Sequence, residues 1–209
     1  MFISFEGSEG CGKSTQIELL RQRLQSMGES CLLVREPGGT TLGEAVRELL
    51  LRQPADEDPI NPQAELLLFA ASRAQLVREK IAPALGAGIH VVADRFMDST
   101  TVYQGFGRGL DLLEVSQINR FAIGAWRPDV TFLLDMDAAL AHSRALERSQ
   151  GTPDRMESES ADFYDRIRDG YLRMAREDRK RVVVLPADAT QDALATRIWE
   201  EVERRLQAR

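Results

Sequence analysis

Phe2-Ile3-Ser4-Phe5-Glu6-Gly7-Ser8-Glu9-Gly10-Cys11-Gly12-Lys13-Ser14-Thr15 is the stretch whose reading decides the fold. A short apolar, β-prone run from Phe2 to Phe5 gives way to a glycine-rich turn. After the turn Ile17, Leu20, Leu24 and Met27 recur at three- and four-residue spacing, which places them on one face of a helix that Gly28 can end. Gly7 to Ser14 satisfies the phosphate-loop pattern, and it lies between a strand and a helix, where that pattern has mechanical meaning. Glycines let the backbone curl so that successive N–H groups and the helix N-terminus face the phosphates of ATP. Lys13 is then expected to reach the β and γ oxygens, Ser14 to offer its hydroxyl to Mg²⁺, and Thr15 to support the turn.

Working outward, four more apolar runs read as strands: Cys31 to Val34, His90 to Ala93, Val130 to Leu134 and Val182 to Leu185. Segments of helical period separate them. Asn61 before Pro62 reads as a cap followed by a first-turn proline, opening a helix through the Leu66 to Arg78 region. Asp111, Asp137 and Thr190 are placed to cap helices carrying Leu112 to Ile123, Leu140 to Leu146 and Leu194 to Leu206. Strands apolar almost throughout and separated by helices imply an α/β fold. The expectation is a five-stranded parallel sheet with helices on both faces and ligands at the carboxyl ends of the strands. Arg52 to Asn61 and Arg148 to Ser158 read as exposed loops.

Composition narrows the function. With 209 residues, 43% of them hydrophobic, the chain suffices for one well-buried domain spanning 1–209. A net charge of -6 disfavours an open basic surface, so neither a nucleic acid polymer nor a membrane is an expected partner. Two cysteines, Cys11 and Cys31, and two histidines supply neither a zinc cluster nor a disulfide framework. With no basic stretch before the opening apolar run and no apolar run of membrane-spanning length, an unprocessed cytoplasmic protein is expected. Cys11 is either a reactive thiol beside a helix N-terminus or a small residue that fits the loop.

Asp94-Arg95 closes the third strand and places a magnesium-side carboxylate and a phosphate-binding fork at one strand end. The Asp-x-x-Gly and Asn-Lys-x-Asp segments of a guanine-nucleotide switch are absent. Glu9 is the oddity, because a carboxylate in a loop that cradles phosphates would be repelled by its ligand. It must point toward a magnesium-bound water or toward the sugar hydroxyl of a second substrate.

Four segments together resemble the bacterial thymidylate kinases, within the nucleoside monophosphate kinase group. They are Phe5 to Thr15, Arg35-Glu36-Pro37-Gly38-Gly39-Thr40, Asp94-Arg95-Phe96 running on to Tyr103-Gln104-Gly105, and Gly151-Thr152-Pro153-Asp154-Arg155-Met156-Glu157. The resemblance implies a phosphate-loop NTPase fold that transfers a phosphoryl group from ATP to dTMP, with Mg²⁺, in a cytoplasmic homodimer. It places Phe69 against the thymine, Arg73 on a base carbonyl, Thr100 and Gln104 at the polar edge of the base, and Tyr103 at the sugar. Arg35, Glu36, Pro37, Arg47 and Arg95 fall near the acceptor, and Glu9 meets the 3′-hydroxyl or the magnesium shell. Since Gly10 and Cys11 stand where some relatives carry a loop arginine, the resemblance implies a mobile lid, about 148–158, with Arg148 and Arg155 as its catalytic candidates. Gln150 departs from the pattern there. Two other readings stay open: a regulatory ATP-binding protein, and a deoxynucleoside kinase using Glu36 as a base.

Overall fold

The computed structural model describes residues 1–51, 59–148, 155, 156 and 158–208, with the side chains of 145, 146 and 148 excepted. Among the described residues five strands form one sheet: β1 (Phe2–Glu6), β2 (Cys31–Arg35), β3 (His90–Asp94), β4 (Val130–Asp135) and β5 (Val182–Pro186), in the order β2-β3-β1-β4-β5. Every pairing is parallel, with Phe5 opposite Asp94 and Arg35 opposite Asp94 on the other side. Each strand runs one residue past its apolar stretch, and Glu6, Arg35, Asp94 and Asp135 are thereby collected along one rim.

Alternation along the strands divides the core. Ile3 and Phe5 face a cluster with Ile17, Leu20 and Leu24 of α1 (Lys13–Ser26) and Leu194, Ile198 and Val202 of α9 (Gln191–Gln207). Phe2 faces the opposite cluster, with Val91, Ala93, Leu76, Val77 and Ile81. Met27 is the one member of the first helical face that is exposed. Gly28 ends α1 as expected: its N–H reaches the Gln25 carbonyl and the Glu29 N–H reaches that of Leu24.

The sequence-based caps are all in place. Asn61 accepts from the Gln63 N–H at the start of α3 (Pro62–Leu76), Asp111 caps α6 (Leu112–Ile123), Thr190 caps α9, and Asp137 accepts from the Ala139 N–H at the start of α7 (Ala138–Arg148). α3 does not stop at Arg78. A π-helical stretch, Val77–Ile81, carries it into α4 (Ala82–Gly86). Pro83 has no N–H to return to the carbonyl four residues back, and the wider turn absorbs the mismatch.

Three helices carried no expectation: α2 (Thr41–Leu51), α5 (Met97–Thr100), which runs on as a second π-helical stretch Thr101–Gly107, and α8 (Ala161–Glu177). The expected loop at Arg52 to Asn61 and the expected lid fall largely outside the described residues. α8 packs tightly on the Thr101–Gly107 stretch. A Cβ on Gly170 would stand 2.8 Å from the Phe106 ring, inside any real contact. Gly170→Ala is expected to lower stability by about 1–3 kcal/mol through overpacking, read as a lower urea midpoint at unchanged m-value; an unshifted midpoint would contradict this packing.

Candidate active site

The carboxyl ends of β1, β2 and β3 open into a cleft of about 670 Å³. Its wall includes Gly10, Gly12, Lys13, Ser14 and Thr15 on the loop side, Asp94 and Arg95 in the middle, and Phe69, Arg73, Thr100, Tyr103 and Gln104 at the far end. Arg35, Glu36, Pro37 and Arg47 line it from β2 and α2. Of the residues singled out from the sequence, those at the two ends and the middle therefore share one cavity.

The loop geometry follows from Gly7, whose φ of 131° and closeness to β4 admit no side chain: a Cβ would lie 2.5 Å from the Leu134 carbonyl oxygen. Gly12 leads into α1, putting the first N–H groups of that helix at the cleft. Lys13 is buried and donates to the loop's own carbonyls, Gly7 at 3.1 Å and Ser8 at 2.8 Å. Its ammonium thus braces the loop. Ser14 Oγ donates to the Asp94 carboxylate at 3.4 Å, so the two residues expected on the magnesium side do meet. A hydroxyl and one carboxylate suit a small hard cation that takes its other ligands from phosphate and water. Cys11 is 2% exposed, packed beneath the loop, which fits the small-residue role.

Arg95 is the centre of the middle section. It follows β3 with a φ of 67°, a left-handed conformation that costs an arginine about 1–3 kcal/mol and must be held by its surroundings. They hold it firmly. Its N–H bonds the Phe5 carbonyl, and its guanidinium donates to Glu9 (2.5 Å), Ser99 (3.0 Å), Tyr103 (3.1 Å) and Tyr171 (3.3 Å). Burial works against its charge, but Tyr103, Glu9, Tyr171 and Glu6 outweigh that and keep its pKa well above the usual arginine value. Glu9 therefore points at Arg95, a partner that sequence reasoning did not name.

Behind Arg95 lies Glu6, fully buried, accepting from the Phe96 N–H at 2.8 Å, Ser99 Oγ at 2.5 Å and Tyr171 OH at 2.9 Å. Burial, reinforced by the charge of Asp98, pushes its carboxyl up to about 7.

At the far end Phe69 is half-buried on α3, which suits a stacking platform better than a core residue. Arg73 is 1% exposed and largely committed: it donates to Glu36 at 2.5 and 2.8 Å, to Asn119 at 2.8 Å and to Thr100 at 2.8 Å. Its first duty is a buried ion pair tying β2 to α3, a role the sequence reading did not give it. Burial raises the Glu36 carboxyl while Arg73 opposes that. With its carboxylate held by Arg73, Glu36 is not available as the general base that a deoxynucleoside kinase would require. Arg35 is exposed and pairs with Glu44 at 2.8 Å, and Arg47 donates to the Pro37 carbonyl at 3.0 Å.

Of the expected lid, about 148–158, the described residues include Arg155. Arg155 does not line the cleft: it donates to the Leu50 carbonyl at 2.8 Å and pairs with Glu65 at 2.6 Å, because Glu65 is a fully buried carboxylate that draws cations. Arg148 has its side chain outside the described residues. Among the described residues of this region, Arg144 on α7 lines the cleft, which sequence reasoning missed. Ser99, Met156 and Leu51 were missed likewise; for Ser99, its place four residues after Arg95 on a helix was the available signal.

Comparison with known proteins gives the family. Residues 5–198 match the family model for thymidylate kinase. A thymidylate kinase of a Synechococcus strain is 47% identical over 206 residues, covering 99% of this chain and 96% of its own length. That of Deinococcus radiodurans is 46% identical over 205 residues, covering 98% and 97%. The crystal structure of thymidylate kinase from Ehrlichia chaffeensis superposes with a TM-score of 0.72 at 36% identity, over 88% of this chain and 91% of that one. A phosphate-loop fold with paired donor and acceptor ends defines a nucleoside monophosphate kinase. Within that class, the chain belongs to the thymidylate kinase family, whose members phosphorylate dTMP to dTDP with ATP.

The Glu6 carboxyl makes stability depend on pH. Below about 4.5 it is protonated folded or unfolded; from there to about 7 the folded chain keeps a proton the unfolded chain has released, so this contribution is lost as pH rises through about 7. Glu6→Gln, neutral throughout, is expected to show a flatter calorimetric Tm between pH 5 and 8 than the wild type; identical slopes would refute the assignment.

Proposed function

We propose that in this chain the phosphoryl group passes in line from ATP on the loop to dTMP lying between Phe69 and Gln104, with Arg95 on the acceptor phosphate. One observation carries this reading: a single cleft joins Lys13 and Ser14 at one end to the half-buried Phe69 and buried Gln104 at the other, with the charged Arg95 between them.

The acceptor oxygen is already ionised at neutral pH, so catalysis reduces to positioning and charge neutralisation. Donor phosphates would take the N–H groups of the loop and of the first turn of α1, drawing the Lys13 ammonium from the Gly7 and Ser8 carbonyls. Ser14 and Asp94 would hold Mg²⁺, which supplies charge neutralisation for the transferred group when bound. Glu9 would leave Arg95 for the 3′-hydroxyl side or the magnesium shell, freeing that guanidinium for the acceptor. Tyr103, held against Arg95, crowds the sugar where a 2′-hydroxyl would lie. Arg144 adds positive charge on the wall from α7, while Arg35 and Arg47 complete the β2 side.

A coupled assay of ADP release with Mg-ATP tests the reading. dTMP is expected to be the best acceptor, dUMP weaker and thymidine inert, with Lys13→Ala inactive; preference for AMP or CMP would refute the base site. Because Arg73→Ala would strand a buried carboxylate and unsettle the fold, Phe69→Ala is the cleaner probe. Loss of a stacking worth about 1–3 kcal/mol should raise the KM for dTMP by roughly five- to a hundredfold and leave the KM for ATP unchanged.

The neighbouring helices α3 and α6 leave large apolar side chains outside the core: Leu67 is 57% exposed, Leu113 66% and Phe121 86%. This surface supports a homodimer packed through α3 and α6. Phe121→Glu is expected to shift the species seen by light scattering from dimer to monomer; a dimer of undiminished strength would exclude this face.

A further inference from the structure

Behind Gln104, at the base end of the cleft, lies a carboxylate that the phosphoryl transfer does not use. Glu65, in the first turn of α3, is 0% exposed. Gln104 Nε2 donates to its Oε1 at 2.7 Å, Arg108 Nε approaches the same oxygen at 3.2 Å, and Arg155 pairs with its other oxygen at 2.6 Å. Burial alone would raise the Glu65 pKa, but Arg108 and Gln104, with the charge of Arg155, outweigh it and hold it lowered. The group is therefore an ionised, acceptor-only carboxylate at working pH.

An acceptor-only partner settles which way the Gln104 amide faces, since only the NH2 end can bond a carboxylate. The carbonyl Oε1 has no partner among the described residues, and Gln104 lines the cleft. A thymine or uracil ring offers an N3–H donor beside the O4 acceptor, whereas cytosine offers an N3 acceptor beside an amino donor. An amide with its carbonyl fixed toward the base accepts from the first and meets the second acceptor to acceptor.

Resting on the thymine-site reading above, we infer that Glu65 is a specificity-determining positioning residue: by locking the Gln104 amide it makes the site select oxo-pyrimidines against cytosine. Glu65 and Phe69 are one helical turn apart on α3, so the lock and the stacking platform share one face. The neighbouring guanidiniums sharpen the consequence of substitution. In Glu65→Gln one oxygen remains, Arg108 and Arg155 compete for it, and the new NH2 is left facing Gln104. That amide must then turn its carbonyl to residue 65 and its NH2 to the base, which suits cytosine.

The test compares dUMP with dCMP, which differ only at the polar edge of the base, using the full chain with Mg-ATP. Glu65→Gln is expected to lower the ratio of kcat/KM for dUMP to that for dCMP by roughly ten- to a hundredfold, the worth of one mismatched buried hydrogen bond. A residue serving only the fold would lower both rates together, and a ratio within about threefold of wild type would overturn the lock. Should Glu65→Gln not fold, Gln104→Leu replaces it. Without the amide the ratio of kcat/KM for dUMP to that for dCMP is expected to fall by about tenfold or more, Arg73 and Thr100 keeping any preference that remains; a ratio within about threefold of wild type would overturn the inference. A wild type that does not prefer dUMP to dCMP would instead overturn the thymine-site reading itself.

Discussion

A cleft that brings two anions together must keep its cations charged and in place before either anion arrives, and this requirement shapes the structure around it. Along the cleft wall three cations are held by anions or phenols of the protein: Arg95 by Glu9, Tyr103 and Tyr171, Arg73 by Glu36, Arg35 by Glu44. Buried arginine is tolerable only when so compensated, and the compensation doubles as aim. Lys13 shows the same arrangement with neutral partners, its ammonium resting on two loop carbonyls.

The sheet supplies the frame. Because all its pairings are parallel, the polar residues that close each strand emerge on the same side, and the two-residue period decides which face each one serves. Glu6 follows Phe2 and Ser4 onto the face that meets Phe96, Ser99 and Tyr171, whereas the odd residues Ile3 and Phe5 are spent on the packing of α1 and α9. Arg95 then sits where the β3 chain must leave the sheet. Its strained backbone is stabilised by the Phe5 carbonyl below and by four side chains around its guanidinium.

Much of this could be read from the chain beforehand, for definable reasons. The strands announced themselves as unbroken apolar runs, and the helix starts at Asn61, Asp111, Asp137 and Thr190 as side-chain caps, because both signals are local. What escaped was what depends on partners distant in sequence. Arg73 read as a base contact because nothing near it in the chain reveals Glu36 or Asn119. Glu9 read as a carboxylate without a protein partner until Arg95, 86 residues away, was beside it. The Thr101–Gly107 stretch carries no helical period, since its residues face a cleft and a helix at once. α8 was legible and missed: Phe163, Ile167, Tyr171 and Met174 recur at helical spacing after Ser160. So was Glu65, one turn before the Phe69 and Arg73 that the same helical logic had already paired.

The Glu6 cluster has a consequence for biosynthesis. It joins β1, the turn after β3 and Tyr171 of α8, so its outermost members are 165 residues apart. The phosphate loop leaves the ribosome well before α8 does, and the support for Arg95 is complete only when α8 has emerged and docked. A nascent chain thus carries the sequence of its phosphate loop long before it can present an ordered Arg95.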